Sequence, residues 1–233
     1  MRSVTLPIEP SKPSKPSKPS DTLSATDRRA LLAILLSVAL GSLDTSIANT
    51  TLPTIAGDLQ VTPAASIWII NAYQMAIVAT LLPFAAMGDL WGPRKVFLGG
   101  LAFFTVSSLG CALADSLVTL TLARVLQGVG ASAIMSVNIA LIGLIYPAHR
   151  LGRGVGLNAL VVGVGFACGP IVASLVLSVA SWPWLFAINV PLGLLCLGLG
   201  LRTLPRSEPG LHRFDPATAV LTGITFSGLI LSL

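Results

Sequence analysis

The segment LVTLTLARVLQGVGASAIMSVNIALIGLI, residues 117–145, decides how this chain folds. It is long and apolar enough to cross a bilayer as a single helix, since about 20 residues span the hydrocarbon core. Its one charged residue is Arg124. A guanidinium at the centre of a membrane helix costs roughly 2.5–3.5 kcal/mol on insertion scales. We therefore expect Arg124 to face a partner or a water-filled cavity, with snorkelling to the nearer interface as the alternative.

Small residues surround and follow Arg124 on this segment, and they are Gly128, Gly130, Ala131, Ser132 and Ala133. Small side chains let the backbones of neighbouring membrane helices approach closely. A charged group on a slim helix beside a cavity is what a solute pathway requires.

The composition identifies an integral membrane protein. Of 233 residues, 54% are hydrophobic and 10% are charged, and the mean hydropathy is +0.86. A soluble domain carries about 25% charged residues. We predict an all-α fold with a six-helix bundle over 30–203, a loop over 204–216 and a truncated seventh helix over 217–233. The predicted spans of the bundle are 30–52, 66–87, 96–113, 117–145, 155–179 and 184–201.

The first 29 residues contain the repeat SKPSKPSKPS and almost nothing apolar to bury. Proline at every third position favours an extended, unpacked conformation, so we predict a disordered cytoplasmic tail. Its lysines could also touch anionic headgroups. The apolar run that follows is too long for a signal peptide.

The basic residues predict the orientation. Thirteen of the 14 Lys and Arg residues precede the first span or lie in loops that join an even-numbered span to an odd-numbered one. The other loops carry only Asp58 and Asp115 as charges, which is a strong positive-inside signal. We therefore predict a cytoplasmic N-terminus in the cell (inner or plasma) membrane, and the net charge of +5 reflects topology and not nucleic-acid binding.

The tryptophans suit an aromatic belt, since Trp68, Trp182 and Trp184 lie at predicted outer ends of spans and Trp91 lies at an inner end. The three cysteines fall in apolar runs without metal-ligand spacing, which favours core packing.

Asp44 is the only acid well inside a predicted span. It lies about 12 Å below the outer end of span one, and Arg124 lies about 10 Å below the outer start of span four. Opposite charges at matching depth predict a shared cavity or a direct pair, in which pairing lowers the cost of burial. Protonation of Asp44 would then change how Arg124 interacts, which could couple protons to a solute. A static structural ion pair is the alternative.

Several neutral polar side chains share these spans. Gln127 is three residues from Arg124 and therefore on the same helix face. We predict that Gln127 and Tyr73 line the cavity, and that most of the others, Asn49, Asn71, Gln74, Asn138 and Asn158, form interhelical hydrogen bonds.

Two further stretches combine glycine with proline, and the first of them, taken by itself, is a common loop. In GDLWGPRK (88–95) Gly92-Pro93 predicts a tight turn, and Asp89 lies near Arg94 and Lys95 in sequence. In GVGFACGP (163–170) Gly165 and Gly169 are spaced for close helix contact, and Pro170 removes a backbone hydrogen bond. The second stretch suits a surface that slides or gates, with plain packing as the alternative.

Together these stretches resemble the major facilitator superfamily, specifically its fourteen-span drug:proton antiporters. LDTSIANTTLP (43–53), GDLWGPRK, LARVLQGVGA (122–131) and GVGFACGP are similar to four motifs of that branch, in the right order. The chain departs from the motifs at several places: Ala85, Leu90, Pro93, Ala173-Ser174 and Trp182-Pro183-Trp184.

The resemblance implies alternating access between two six-helix halves, with proton influx driving export of an amphipathic compound and no cofactor beyond the proton. Asp44 would be the proton or cation site, and Arg124 would bias its protonation. Asp89, Gly92 and Arg94 would latch the cytoplasmic face against the second half. Gly165, Gly169 and Pro170 would help to seal the outward leak. We expect the partners to be the bilayer, a small substrate and a missing C-terminal half, and the 233 residues not to transport alone.

The sequence also bears on functions other than drug export. An enzyme is not expected, because His149 and His212 lie in predicted loops and Asp44 has no second acid beside it. A non-transporting remnant or accessory membrane subunit is one alternative. A transporter of the same fold for sugars or organic anions is another.

Overall fold

The computed structural model describes residues 23–206. This part of the chain forms α1 (Ala25–Asp58), α2 (Pro63–Trp91), α3 (Pro93–Ala112), α4 (Leu117–Ile145), α5 (Leu151–Leu177), α6 (Pro183–Ala187) and α7 (Asn189–Thr203), with a short 3-10 helix (Ala148–Arg150) before α5. Only Ile188 separates α6 from α7, and the two form one span. Six spans are thus long and apolar enough to cross a membrane within 23–206. The predicted all-α, six-span fold is confirmed; the predicted tail over 1–22, and the predicted loop and seventh helix beyond Arg206, lie outside the described residues.

The ends of α1 differ from the sequence expectation. Ser24 and Asp27 form a capping box, in which the Ser24 hydroxyl accepts from the Asp27 amide at 3.1 Å. This cap satisfies free N–H groups, so the helix begins at Ala25 and not at residue 30. At the other end α1 continues through Pro53 to Asp58, because one missing backbone hydrogen bond does not end a membrane helix.

A single residue, Gly92, separates α2 from α3. Its φ of 88° lies in a region that side chains with a Cβ avoid, so glycine is required at this turn. The tight turn predicted at Gly92-Pro93 is therefore present.

The core consists of two apolar clusters with buried polar side chains, among them Asp44, Arg124 and Gln127, between them. In the first, Leu31, Val96 and Ile145 lie near the start of α1, the start of α3 and the end of α4. In the second, Ile55 and Leu120 lie near the opposite ends of α1 and α4. α4 packs mainly against α2 and α3, while α1 packs mainly against α5 and α7.

Apart from Arg124, the bases within residues 23–206 gather at one end of the bundle, which we call the basic end. There the Arg94 guanidinium donates to the Leu201 carbonyl at 2.6 Å and joins the start of α3 to the end of α7. The other bases described at helix termini of this end are Arg28, Arg29, Lys95, Arg150, Arg153, Arg202 and Arg206. That this end faces the cytoplasm stays a prediction from the positive-inside rule.

Trp182 at the opposite end does not lie in an aromatic belt. It is 3% exposed, and its indole N–H donates to the Asp58 carboxylate at 2.6 Å. A buried indole needs such a partner, and this one ties α6 to the end of α1. Trp68, Trp91 and Trp184 are exposed, as a belt requires.

Candidate functional site

A buried ion pair joins α1 to α4 in the middle of the bundle. Arg124 Nη1 lies 2.6 Å from Asp44 Oδ2. Arg124 is 0% exposed and Asp44 is 1% exposed, so the arginine does not snorkel to an interface. The structure therefore brings the two charges together as a direct pair, which was one of the two arrangements expected from their depths.

Gln127 connects both partners of the ion pair. Its carbonyl Oε1 accepts from Arg124 Nη1 at 2.6 Å, and its Nε2 donates to Asp44 Oδ1 at 3.0 Å. The same Nε2 also donates to the Ser108 hydroxyl at 2.8 Å, which adds α3 to the network. Gln127 thereby fixes the relative positions of three helices.

Asn189, the first residue of α7, completes the set of donors to the carboxylate. Its Nδ2 donates to Asp44 Oδ1 at 2.6 Å, and its own Oδ1 has no partner within the described chain. Asp44 thus accepts hydrogen bonds from Arg124, Gln127 and Asn189. Charge-assisted bonds of this kind offset the cost of removing an ionised carboxylate from water. We call Asp44, Arg124, Gln127 and Asn189 the polar layer.

Tyr73 separates the polar layer from a cavity. The guanidinium carbon of Arg124 lies 3.9 Å from the centroid of the Tyr73 ring and 5.7 Å from that of Phe186. Both distances suit cation–π attraction. Tyr73 also lines a cavity of about 410 Å³ whose walls come from α1, α2, α3, α4 and α5. The other lining residues include Ser37, Gly41, Thr45, Gln74, Ile77, Phe104, Asn138, Asn158 and Phe166.

The four residues predicted at the cavity therefore occupy two different environments. Tyr73 lines the cavity, whereas Asp44, Arg124 and Gln127 lie enclosed behind it. The sequence suggested that the charges share a watery cleft. In the structure both charges are buried and are bonded directly to each other and to Gln127.

The predicted close contact on α5 lies against α1. A Cβ added to Gly165 would meet Ser42, and one added to Gly169 would meet Ser46. Pro170 has no N–H to donate to the Phe166 carbonyl, which is its helical partner. The Ser46 hydroxyl donates to that carbonyl at 2.8 Å. We call this contact the α1–α5 seam.

The predicted latch residues at the basic end are not joined to each other. Asp89 is exposed and forms no hydrogen bond or ion pair within the described range. Arg94 is bonded to α7 instead, as described above. Their joint role in gating stays a prediction.

Sequence analysis missed three members of the network. Asn189 is an amide inside a predicted span, and that position alone could have identified it. Ser108 carried no signal beyond polarity. Cys111 was predicted only to pack; it is buried, and its Sγ lies 3.4 Å from Gln127 Oε1. Asn138 and Asn158 form the expected interhelical bond, at 2.8 Å.

Comparison with known proteins finds similarity to membrane transporters. The family model described as Major Facilitator Superfamily matches residues 34–231. An uncharacterised transporter of Escherichia coli K12, YebQ, is 53% identical over 206 residues, which cover 88% of this chain and 45% of that protein. The riboflavin transporter RibZ of Clostridioides difficile is 34% identical over 82% of this chain and 44% of its own length. A tetracenomycin C resistance and export protein of Streptomyces glaucescens is also 34% identical, over 82% of this chain and 36% of its own length.

Among solved structures, the proton:xylose symporter XylE has a TM-score of 0.68 at 18% identity, over 91% of this chain and 53% of its own. That likeness concerns the fold alone. The chain spans a little under half the length of the E. coli and C. difficile relatives.

Proposed function

The chain belongs to the Major Facilitator Superfamily, and from that premise we propose that its six-helix bundle is one half of a proton-coupled exporter of amphipathic compounds. Membership in a transporter family confirms that the chain is not an enzyme. The direction of transport is supported by the four antiporter-like motifs and by the export function named for the S. glaucescens relative.

One observation carries the proposal, and it is the polar layer beside the Tyr73-lined cavity. A proton that binds Asp44 removes the counter-ion of Arg124, a buried charge that cannot remain unpaired at low cost. The layer must then rearrange, and Tyr73 transmits the change because its ring contacts Arg124 and also lines the cavity. Alternating access follows if the rearranged layer favours a different position of this bundle against a second half.

The test is Asp44→Asn in the full-length natural protein, reconstituted in vesicles with an imposed pH gradient. Wild type should move a fluorescent amphipathic cation in response to the gradient. The variant should lose that response, because an amide neither ionises nor releases a proton. Transport driven by the gradient in the Asp44→Asn protein would overturn the proposal.

Asp115→Asn is the matched control. Within residues 23–206, Asp115 accepts only from the Thr119 hydroxyl, at 3.2 Å, in an exposed turn. Its neutralisation should leave the gradient response unchanged.

Riboflavin is a second candidate substrate, favoured by the C. difficile relative. Phe104, Phe166 and Tyr73 all line the cavity, and such rings can stack on a flat heterocycle. Radiolabelled riboflavin in the same vesicles would separate the two substrates. Saturable movement of riboflavin that excess amphipathic cation does not inhibit would favour the second candidate.

A further inference from the structure

A second cavity, of about 570 Å³, lies at the basic end and away from the polar layer. It opens between the start of α1, the end of α4 and the start of α5. Its walls include Arg28, Tyr146, Arg150, Arg153, Leu157 and Leu160. The transport mechanism proposed above uses none of these residues.

The charge around this cavity is positive. Arg28 and Arg153 are exposed, and neither side chain forms a hydrogen bond or an ion pair within residues 23–206. Among the described residues, no acid belongs to its lining. The nearest acid in sequence, Asp27, is engaged by Ser24, whose amide and hydroxyl donate to Asp27 Oδ2 at 3.1 and 2.7 Å. Within residues 23–206, the Arg28 and Arg153 side chains thus face this cavity without a carboxylate partner.

The start of α5 forms one side of the cavity. Its first residue, Leu151, donates its N–H to the Ala148 carbonyl of the preceding 3-10 helix, and the positive end of the α5 dipole lies here. Gly154 holds the helix start in place, because a Cβ there would meet Ile142 and Tyr146 on α4. The rim is therefore formed by packed backbone and is in place before any ligand arrives.

The remaining wall is apolar and leads towards the membrane. Leu157 lies about one turn beyond Arg153 on α5, and Leu160 about one turn further. Leu160 is 62% exposed. A free phosphate would make no favourable contact with this apolar wall, whereas an acyl chain would cover it. Basic pockets between membrane helices are known to bind anionic headgroups.

From this combination we infer that the basic-end cavity binds an anionic phospholipid, with the phosphate between Arg28 and Arg153 and an acyl chain along Leu157 and Leu160. The inference does not depend on the transported substrate or on proton coupling.

The test compares lipids bound to the purified full-length protein, counted by native mass spectrometry in mixed micelles of phosphatidylglycerol and phosphatidylcholine. Wild type should retain phosphatidylglycerol preferentially. The double variant Arg28→Gln with Arg153→Gln should weaken this binding about tenfold to thirtyfold, the range expected for two basic side chains near a headgroup. If the double variant does not fold, Arg153→Gln alone should give a smaller loss of the same kind.

The matched control is Lys95→Gln with Arg202→Gln, which removes the same charge from the same end but outside the cavity. It should leave the lipid preference intact. Equal loss in both double variants would mean a general surface-charge effect and would overturn the site. Wild-type protein without a preference for phosphatidylglycerol would also overturn it. So would displacement of the lipid by millimolar inorganic phosphate, which would assign the cavity to the free anion.

Discussion

The two faces of α1 are held against their neighbours by different kinds of interaction. Towards α4, Asp44 is fixed by directional hydrogen bonds and a charge pair. Towards α5, two residues further along, Ser46 packs where Gly169 leaves room and donates to a carbonyl that Pro170 leaves without a helical donor. The first contact depends on charge and the second on shape.

This difference separates a contact that a proton can switch from one that it cannot. Neutralising Asp44 changes the energy of the polar layer at once, while the α1–α5 seam contains no titratable side chain among Ser42, Ser46, Gly165 and Gly169. A helix with one face of each kind can respond to protonation while keeping its position against α5. Three substitutions test this difference between the two contacts.

The largest effect is expected from Arg124→Leu. It leaves Asp44 as a buried charge without its counter-ion, and should lower the free energy of unfolding by about 3–5 kcal/mol. Denaturant titration of the purified full-length protein in detergent measures this loss of unfolding free energy. The double variant with Asp44→Leu should recover most of the loss without recovering proton coupling. A single variant as stable as wild type would show that the ion pair does not hold α1 to α4.

Gly169→Ala should have an intermediate effect. The added Cβ meets the side chain and backbone of Ser46, and overpacking of this kind costs about 1–3 kcal/mol. Gly163→Ala is the control, since no atom of the described chain lies within 4 Å of a Cβ there. That variant should be neutral or slightly stabilised by helix propensity. Equal melting temperatures for the two alanine variants would contradict the close contact at the seam.

Ser46→Ala should have the smallest effect. It removes the donor to the Phe166 carbonyl, a loss of about 0.5–1.5 kcal/mol. In a Pro170→Ala background the helix supplies its own N–H, so the same substitution should cost less. A double-mutant cycle on unfolding free energies measures that coupling. Additive effects would mean that the hydroxyl does not compensate for the proline.

Much of the site follows from local sequence. The depths of Asp44 and Arg124 come from counting residues along helices, and the three-residue step from Arg124 to Gln127 fixes a shared face. The turn at Gly92 follows from residue type alone. Such features depend on spacing within one helix, which a sequence displays directly.

The remaining features depend on how distant helices meet. Asn189 reaches Asp44 only because α6 and α7 pack against α1 and α3, and no periodicity specifies that register. Residue type alone predicted Trp182 at the lipid interface, yet its side chain is buried and donates a hydrogen bond to Asp58 on another helix. The enclosure of the charges behind Tyr73 likewise results from the packing of several helices.

The chain holds two tyrosines, and each lies at one of the two cavities. Tyr73 touches Arg124, whereas Tyr146 lies among the arginines of the basic end. Fluorotyrosine incorporated into this chain would therefore place one ¹⁹F nucleus beside the ion pair and another beside the phospholipid cavity. A single spectrum could then follow proton binding and lipid binding as separate resonances in the same sample.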